Sequence, residues 1–244
     1  MSSECKLVYH GMAFFEMHVK GGPLLFIDPC ITLNRFATVR VEDLPTPDAV
    51  LVTHLARDHY GDATEIVNKS KATLYGPGNV GAYADIKGVD KSLRRGMRPG
   101  HARRIGNVGV KALQTQHHAF FNREGLVLSD VSLSFIITLP NGTKVYHMGD
   151  AALSADLKMY GEVYHPDVIL MGVGGAFEDS VGDLDPTEAA IATEWLGAKI
   201  AIPMHYDLKT NPEIPEQYTA ELKRRGLNVQ VVTLAAGDTF DLPI

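Results

Sequence analysis

The sequence predicts an α+β chain in which two β-sheets are covered by helices within one domain, residues 1–244. Three observations predict it. Short apolar strand-like runs fill the first half, helical stretches fall mostly between the later strands, and no Ser/Gly linker or low-complexity segment divides the chain. In order, Lys6–His10, Phe14–Val19 and Pro23–Ile27 read as strands, the last after the Gly21-Gly22 turn signal. Asp28-Pro29 opens a loop to about Pro47, and Ala49–Thr53 reads as a buried strand. Ala63–Lys69 and Gly78–Ile86 read as helices around a strand at Thr73–Tyr75. Lys91–Arg95, His101–Ile105 and Val108–Gln114 read as a meander. Val131–Thr138 and Lys144–His147 flank the hairpin signal Pro140-Asn141-Gly142. A helix from Ser154 to Tyr160 and a strand at Val168–Met171 follow. Asp185 as cap and Pro186 at the first position start a helix through Leu196. Lys199–Pro203, Pro215–Arg225 and Val229–Leu234 then read as strand, helix and strand.

Composition narrows the function classes. Hydrophobic residues are 45% and charged residues 21%, which excludes a disordered or fibrous chain. Lys and Arg number 23 against 29 Asp and Glu, a formal charge of −6, so nonspecific nucleic-acid binding through phosphate neutralisation is not expected. Apolar runs such as Leu24-Leu25-Phe26-Ile27 are too short to span a bilayer, so no membrane partner is expected. The opening Met-Ser-Ser-Glu-Cys carries no signal-peptide pattern. Cys5 and Cys30 are expected as thiols in a reducing cytoplasm.

The chemistry is expected at strand ends, where loops let polar groups converge. His54, Asp58 and His59 fall within six residues after Ala49–Thr53. His117 and His118 follow Val108–Gln114, Asp150 follows Lys144–His147, and His205 follows Lys199–Pro203. Imidazole and carboxylate are the usual non-sulfur ligands of Zn²⁺, and carboxylate also suits Mn²⁺ and Fe. Taken alone, each histidine is more simply a strand cap. The set of four strand ends points instead to a divalent-metal site, although spacing does not prove that the ends meet. His10, His18, His101, His147 and His165 receive no ligand role.

The chain resembles the metallo-β-lactamase superfamily, and within it a bacterial family of metal-dependent hydrolases related to L-ascorbate-6-phosphate lactonase. The resemblance spans nearly the whole chain. It rests on Tyr9-His10-Gly11, Phe26-Ile27-Asp28-Pro29, Ala37-Thr38-Val39 with Glu42-Asp43-Leu44, Leu51–His59, Tyr146-His147-Met148-Gly149-Asp150, Pro166-Asp167 and Ile202-Pro203-Met204-His205-Tyr206. It implies a four-layer αββα sandwich with the metal site at the edge between the sheets. The family's His-x-His-x-Asp-His motif is matched by His54, Asp58 and His59, but Ala56 stands where the second His belongs. The later ligand positions match His117, Asp150 and His205. The family pattern puts His54, position 56 and His117 on one metal and Asp58, His59 and His205 on the other, with Asp150 bridging. One firmly held ion is therefore expected at Asp58, His59 and His205, with Zn²⁺ first among Zn, Mn and Fe and a second ion weak or absent. His118 is the alternative replacement for the missing ligand. Asp28 is expected to support the site loop rather than bind metal.

Other departures cluster at the same place. Gly11-Met12-Ala13 replaces Gly-His-Ser, Ala151 replaces a common Thr, and Gly174-Gly175-Ala176-Phe177-Glu178-Asp179-Ser180 replaces a Phe-Thr-Met loop. Gly172-Val173-Gly174-Gly175 lacks the ending of a phosphate-binding loop and reads as a tight turn. Ala119–Arg123 reads as a loop that either covers substrate or packs. Lys91 to Arg104, with six basic residues, reads as a solvated strand face, with phosphate binding or a subunit contact as the alternative.

The expected function is hydrolysis of a small-molecule lactone, ester, amide or phosphoester by metal-bound hydroxide, with Asp58 holding the metal and orienting the hydroxide or taking its proton. The alternative is a noncatalytic binding or scaffold protein with a degraded metal site, favoured by Ala56 and Met12. A homo-oligomer stays open.

Overall fold

Leu25 and Ile27 leave their strand on one side and Phe26 on the other, and all three are fully buried. A strand buried on both faces needs a continuous apolar run, and Leu24–Ile27 supplies it. The structure, a computed structural model, describes residues 5–174, 183–206 and 208–243. The replaced glycine-rich loop predicted around Gly174–Ser180 lies, from residue 175 onward, outside the described residues.

Two seven-stranded sheets carry the fold. The first contains β1 (Cys5–Tyr9), β2 (Phe15–Val19), β3 (Leu24–Ile27), β4 (Ala49–Leu51), β5 (Thr73–Gly76) and β6 (Arg94–Gly96). The last strand of the chain, β14 (Thr239–Asp241), returns to pair with β1. The second contains β7 (Ala102–Ile105), β8 (Val108–Arg123), β9 (Leu126–Thr138), β10 (Lys144–His147), β11 (Val168–Gly172), β12 (Ile200–Met204) and β13 (Gln230–Val231). Strands β3 to β6 run parallel, as do β10 to β13. The helices are α1 (Arg57–Tyr60), α2 (Ala63–Ser70), α3 (Gly78–Ile86), α4 (Ala155–Tyr164), α5 (Pro186–Leu196) and α6 (Glu213–Arg224).

Three apolar clusters mark the three interfaces of four layers. Leu7, Phe15, Leu25 and Leu51 of the first sheet meet Val110, Phe135, Leu170 and Ile202 of the second. Phe26, Val50 and Leu74 pack under α2 and α3 through Val67 and Val80. Tyr146, Ile169 and Met171 pack under α4, α5 and α6 through Leu157, Ala189 and Tyr218. This is the αββα sandwich that the resemblance implied. At about 1.5–3 kcal/mol for each large apolar side chain removed from water, these interfaces hold the strand ends in place.

Local signals set several boundaries. Asp185 accepts hydrogen bonds from the Thr187 and Glu188 amides, and Glu188 accepts one from the Asp185 amide, so α5 starts on a reciprocal cap where expected. Other expectations change. Lys91–Leu93 is a 3-10 turn before β6, the last predicted strand shortens to β13, and α1 and β14 are additional. Four of the six basic residues, Arg94, Arg95, Arg103 and Arg104, lie on β6 and β7, each an edge strand of its sheet, where charge discourages pairing with another chain.

The largest correction concerns residues 115–131. Strand β8 does not end at Gln114; it runs through Arg123 and pairs with β9, with a register shift between Thr115 and His118. Ala119–Arg123 is therefore strand and not loop. Its Phe121 is buried against Tyr83 of α3, ring centroids 4.9 Å apart, while Phe120 is exposed. The alternation of buried Ala119 and Phe121 with exposed Phe120 and Asn122 is the two-residue period of a strand.

Candidate metal centre

Site residues leave three parallel-strand ends, one helix and one bulge. Val52 and Thr53 carry the chain from β4 to His54, and α1 turns Asp58 and His59 back toward it. The turn after β10 ends on Asp150. His147 is committed to shaping that turn: its Nε2 donates to the Ala13 carbonyl at 3.0 Å, and its Nδ1 accepts the Gly149 amide at 3.2 Å. Gly149 has φ +61°, and a Cβ there would lie 3.0 Å from Thr53, so glycine lets the two loops touch. His205 follows β12 at φ +67°, its amide donating to the Met12 carbonyl at 3.0 Å. His117 comes from the bulge in β8 and not from a strand end.

These groups converge. His59 Nε2 lies 3.1 Å from His205 Nε2 and 3.1 Å from Asp150 Oδ1, and His205 Nε2 lies 3.3 Å from Asp150 Oδ1 and 3.8 Å from Asp58 Oδ2. Around Asp150 Oδ2 the spacing is wider, with His117 Nε2 at 3.7 Å and His54 Nε2 at 3.8 Å. All six sequence-predicted residues, His54, Asp58, His59, His117, Asp150 and His205, thus border one spot. His118 is exposed and does not join them. Ala56, with no donor atom, precedes α1 and borders a cavity of about 320 Å³ shared with Tyr60, Lys87 and Arg123.

The imidazoles are aimed from behind. Asp28, fully buried, accepts from the Thr53 amide and hydroxyl at 2.7 Å each and faces His59 Nδ1 at 2.9 Å. It supports the site loop, as the resemblance implied. A proton on Nδ1 leaves the Nε2 lone pair of His59 pointing at His205 and Asp150. Buried lone pairs that face one another without protons are unfavourable unless a cation lies among them. His54 Nε2 and Asp150 Oδ1 are buried with no hydrogen-bond partner, which is the mark of a missing electrophile. Donors about 2.0–2.1 Å from a tetrahedral Zn²⁺ stand about 3.3 Å apart, and the spacings around His59, His205 and Asp150 match that edge. The residues therefore fit a divalent cation.

The carboxylates around the His59 and His205 rings favour positive charge here, carried by ring protons or by a cation in their place. Burial works against a charged His59, but Asp150 and Asp28 outweigh it and hold its pKa well above the usual imidazole value. His205 is raised in the same sense, burial being outweighed by Asp150 and Asp183. Burial and the neighbouring His59 push His54 well below the usual value. Asp150 is held well below the carboxylate range because His205 and His59 overcome its desolvation. Asp183, which sequence reasoning did not single out, is raised to about 6 by burial. Its Oδ2 lies 3.4 Å from His205 Nδ1.

A second cavity, about 350 Å³, is lined by His205, Met12, Asn34, Arg35, Phe36 and Lys209, among others. Arg35 and Lys209 each lie over the Phe36 ring, at 4.6 and 5.3 Å from its centroid. Its volume suits a small ligand. Cys30 is buried with its thiol pushed up to about 11, so it is inert at neutral pH. Among the described residues no disulfide forms, and no helix is long and apolar enough to cross a membrane.

Fold and site together define a metallo-hydrolase of the β-lactamase superfamily, and comparison with known proteins agrees. The profile of the beta-lactamase superfamily domain matches residues 25–206. A UPF0173 metal-dependent hydrolase of Methanopyrus kandleri is 34% identical over 97% of this chain and 99% of its own. One of Methanobrevibacter smithii is 33% identical over 95% and 94%. Among solved structures, Igni18, a metallo hydrolase from Ignicoccus hospitalis, superposes with a TM-score of 0.81 at 28% identity, covering 98% of this chain and 99% of that one. The chain belongs to the UPF0173 metal-dependent hydrolase family of the β-lactamase superfamily.

Proposed function

We propose that the protein hydrolyses a small molecule at one firmly held divalent cation, bound by Asp58, His59, Asp150 and His205, with a weaker position at His54 and His117. The observation that carries this reading is the approach of His59 Nε2, His205 Nε2 and Asp150 Oδ1 to within 3.1–3.3 Å of one another. Zn²⁺ is the first choice because imidazole and carboxylate are its usual non-sulfur ligands, with Mn²⁺ and Fe as alternatives. When bound, such an ion supplies Lewis-acid polarisation of a carbonyl or phosphoryl oxygen and lowers the pKa of water.

The chain's own residues do the rest. Asp28 and Thr53 fix the ring of His59. Asp58, with a side chain 33% exposed while the other three donors are nearly buried, is the group that can face an attacking water, orient it and take its proton. The cavity beside His205 takes the substrate, and Arg35 and Lys209 on its wall suit an anionic substituent. The scissile bond is a lactone, ester, amide or phosphoester. Resemblance to the lactonase branch favours a cyclic ester or amide.

Two cysteines without a disulfide suit a reducing cytoplasm, and the −6 charge argues against a nucleic-acid partner. We read the chain as one domain and leave its oligomeric state open.

Elemental analysis of protein purified without chelator, followed by a lactone, amide and phosphodiester panel, tests the reading. About one equivalent of Zn, Mn or Fe with turnover of one substrate class supports it. Metal content near zero that persists after soaking in all three ions overturns it.

A further inference from the structure

Two ring nitrogens of His205 meet two different environments. Its Nε2 joins His59 and Asp150 at 3.1 and 3.3 Å, while its Nδ1 faces Asp183 Oδ2 at 3.4 Å. The Asp183 side chain is fully buried, and neither of its oxygens has a hydrogen-bond partner. A buried carboxylate with no donor is costly, so it calls for a proton of its own, a donor or a cation beside it. Asp150 also faces it but is held ionised, which leaves His205 Nδ1, at 3.4 Å, as the group placed to donate.

The space for Asp183 is built into the chain. A Cβ on Gly172 would lie 2.6 Å from Asp183 Oδ1, and a Cβ on Gly174 would lie 3.2 Å from Asp183 Cβ. Gly172-Val173-Gly174 is therefore the floor of a carboxylate socket, which gives this glycine pair a purpose that a tight turn alone does not. The amide of Gly174 donates to the Leu184 carbonyl at 2.9 Å, tying the socket to the residue after Asp183.

We infer that Asp183 is the positioning residue for His205: it accepts the Nδ1 proton, and so aims the Nε2 lone pair into the cation centre as Asp28 does for His59. The inference rests on the metal centre proposed above. A metal-bound imidazole must carry its proton on the other nitrogen, and an acceptor there fixes both tautomer and ring angle. The two carboxylates thus brace the two histidines from opposite sides: Asp28 at 2.9 Å from one and Asp183 at 3.4 Å from the other. Asp183 also lies close enough to Asp150 and His205 for the three to offer donor atoms within 4.8 Å of one another, so the test must separate bracing of His205 from direct ligation.

The test compares Asp183→Asn, Asp183→Ala and Gly172→Ala with wild type. The readouts are Zn²⁺ affinity from chelator competition and imidazole ¹⁵N spectra of the Zn²⁺-loaded protein. Asp183→Ala should weaken Zn²⁺ roughly 10–100-fold, at unchanged saturating stoichiometry. Asp183→Asn keeps an acceptor oxygen and should fall between Ala and wild type. Gly172→Ala, which crowds the carboxylate, should weaken Zn²⁺ in the same sense. The spectra should show His205 protonated on Nδ1 in wild type, with that proton exchanging faster in Asp183→Ala. Wild-type affinity in Asp183→Ala, or a wild-type His205 spectrum in it, overturns the inference while leaving the metal centre standing. Failure of the wild type itself to bind Zn²⁺, Mn²⁺ or Fe overturns both.

Discussion

His59 and His205 present their Nε2 atoms to each other at 3.1 Å across the gap between α1 and the end of β12, 146 residues apart in the chain. Their rings are nearly parallel, 16° between planes. Each far nitrogen faces a carboxylate, Asp28 at 2.9 Å and Asp183 at 3.4 Å, an arrangement that suits the shared cation proposed above.

Ala56→His should add the missing donor to His54 and His117 and raise bound metal toward a second equivalent. Ala56 sits two residues after His54 and directly before α1, which carries Asp58 and His59. Plasma emission on the loaded variant measures this; occupancy equal to wild type would mean that position 56 is not the vacancy.

Asp58→Ala and His205→Ala should each abolish both metal binding and turnover while far-UV circular dichroism stays native. Asp58 is one-third exposed, at 33%, and outside the apolar clusters, so its loss creates no cavity in them. Retained turnover in either variant would remove it from the machinery.

Metal binding should release protons at neutral pH. In the metal-free protein His59 and His205 have raised pKa values, so their charged forms stabilise the fold at low pH and that contribution is lost as pH rises through the folded values. The metal needs both rings neutral, so its affinity rises over the same range, and the metal-induced gain in Tm should grow with pH. Calorimetry at pH 7 in buffers of different ionisation enthalpy reads the released protons directly. Buffer-independent heats would contradict the shifts.

Glu16 offers a control at a carboxylate outside the six site residues. It accepts from His10 Nε2 at 2.7 Å and His18 Nε2 at 2.6 Å. Burial opposes its charge, but these two partners hold its pKa below the ordinary 4.5. A depressed carboxylate contributes stability above its unfolded value and loses it as pH falls through its folded value. Glu16→Gln should therefore cost about 1–3 kcal/mol at neutral pH, with the gap closing below the ordinary glutamate value. Paired melting curves from pH 7 to pH 3 test it, and a constant gap would contradict it.

How much of this was legible in the sequence depended on how local each signal is. The start of α5 was readable because Asp185, Pro186 and Glu188 carry their message within four residues. The core strands were readable because burial on both faces forces unbroken apolar runs such as Leu24–Ile27. Five of the six predicted site residues come from strand ends or α1, as the apolar runs suggested. His117 was found for the wrong reason: the polar Gln114–His118 stretch looks like the end of a strand, yet it is a bulge within β8. Asp183 was not legible, since it sits among Glu178, Asp179 and Asp185, where acidic residues look alike as solvated loop. The usable signal was Gly172 and Gly174, two missing side chains that make room for a third.

The central claim is that His59, Asp150 and His205 enclose a cation. Anomalous diffraction from crystals soaked in Zn²⁺ tests it most directly. The account predicts a strong peak within coordination distance of His59 Nε2, Asp150 Oδ1 and His205 Nε2, with Asp58 beside it. Those three side chains pointing apart, with no peak among them at full soaking concentration, would contradict it.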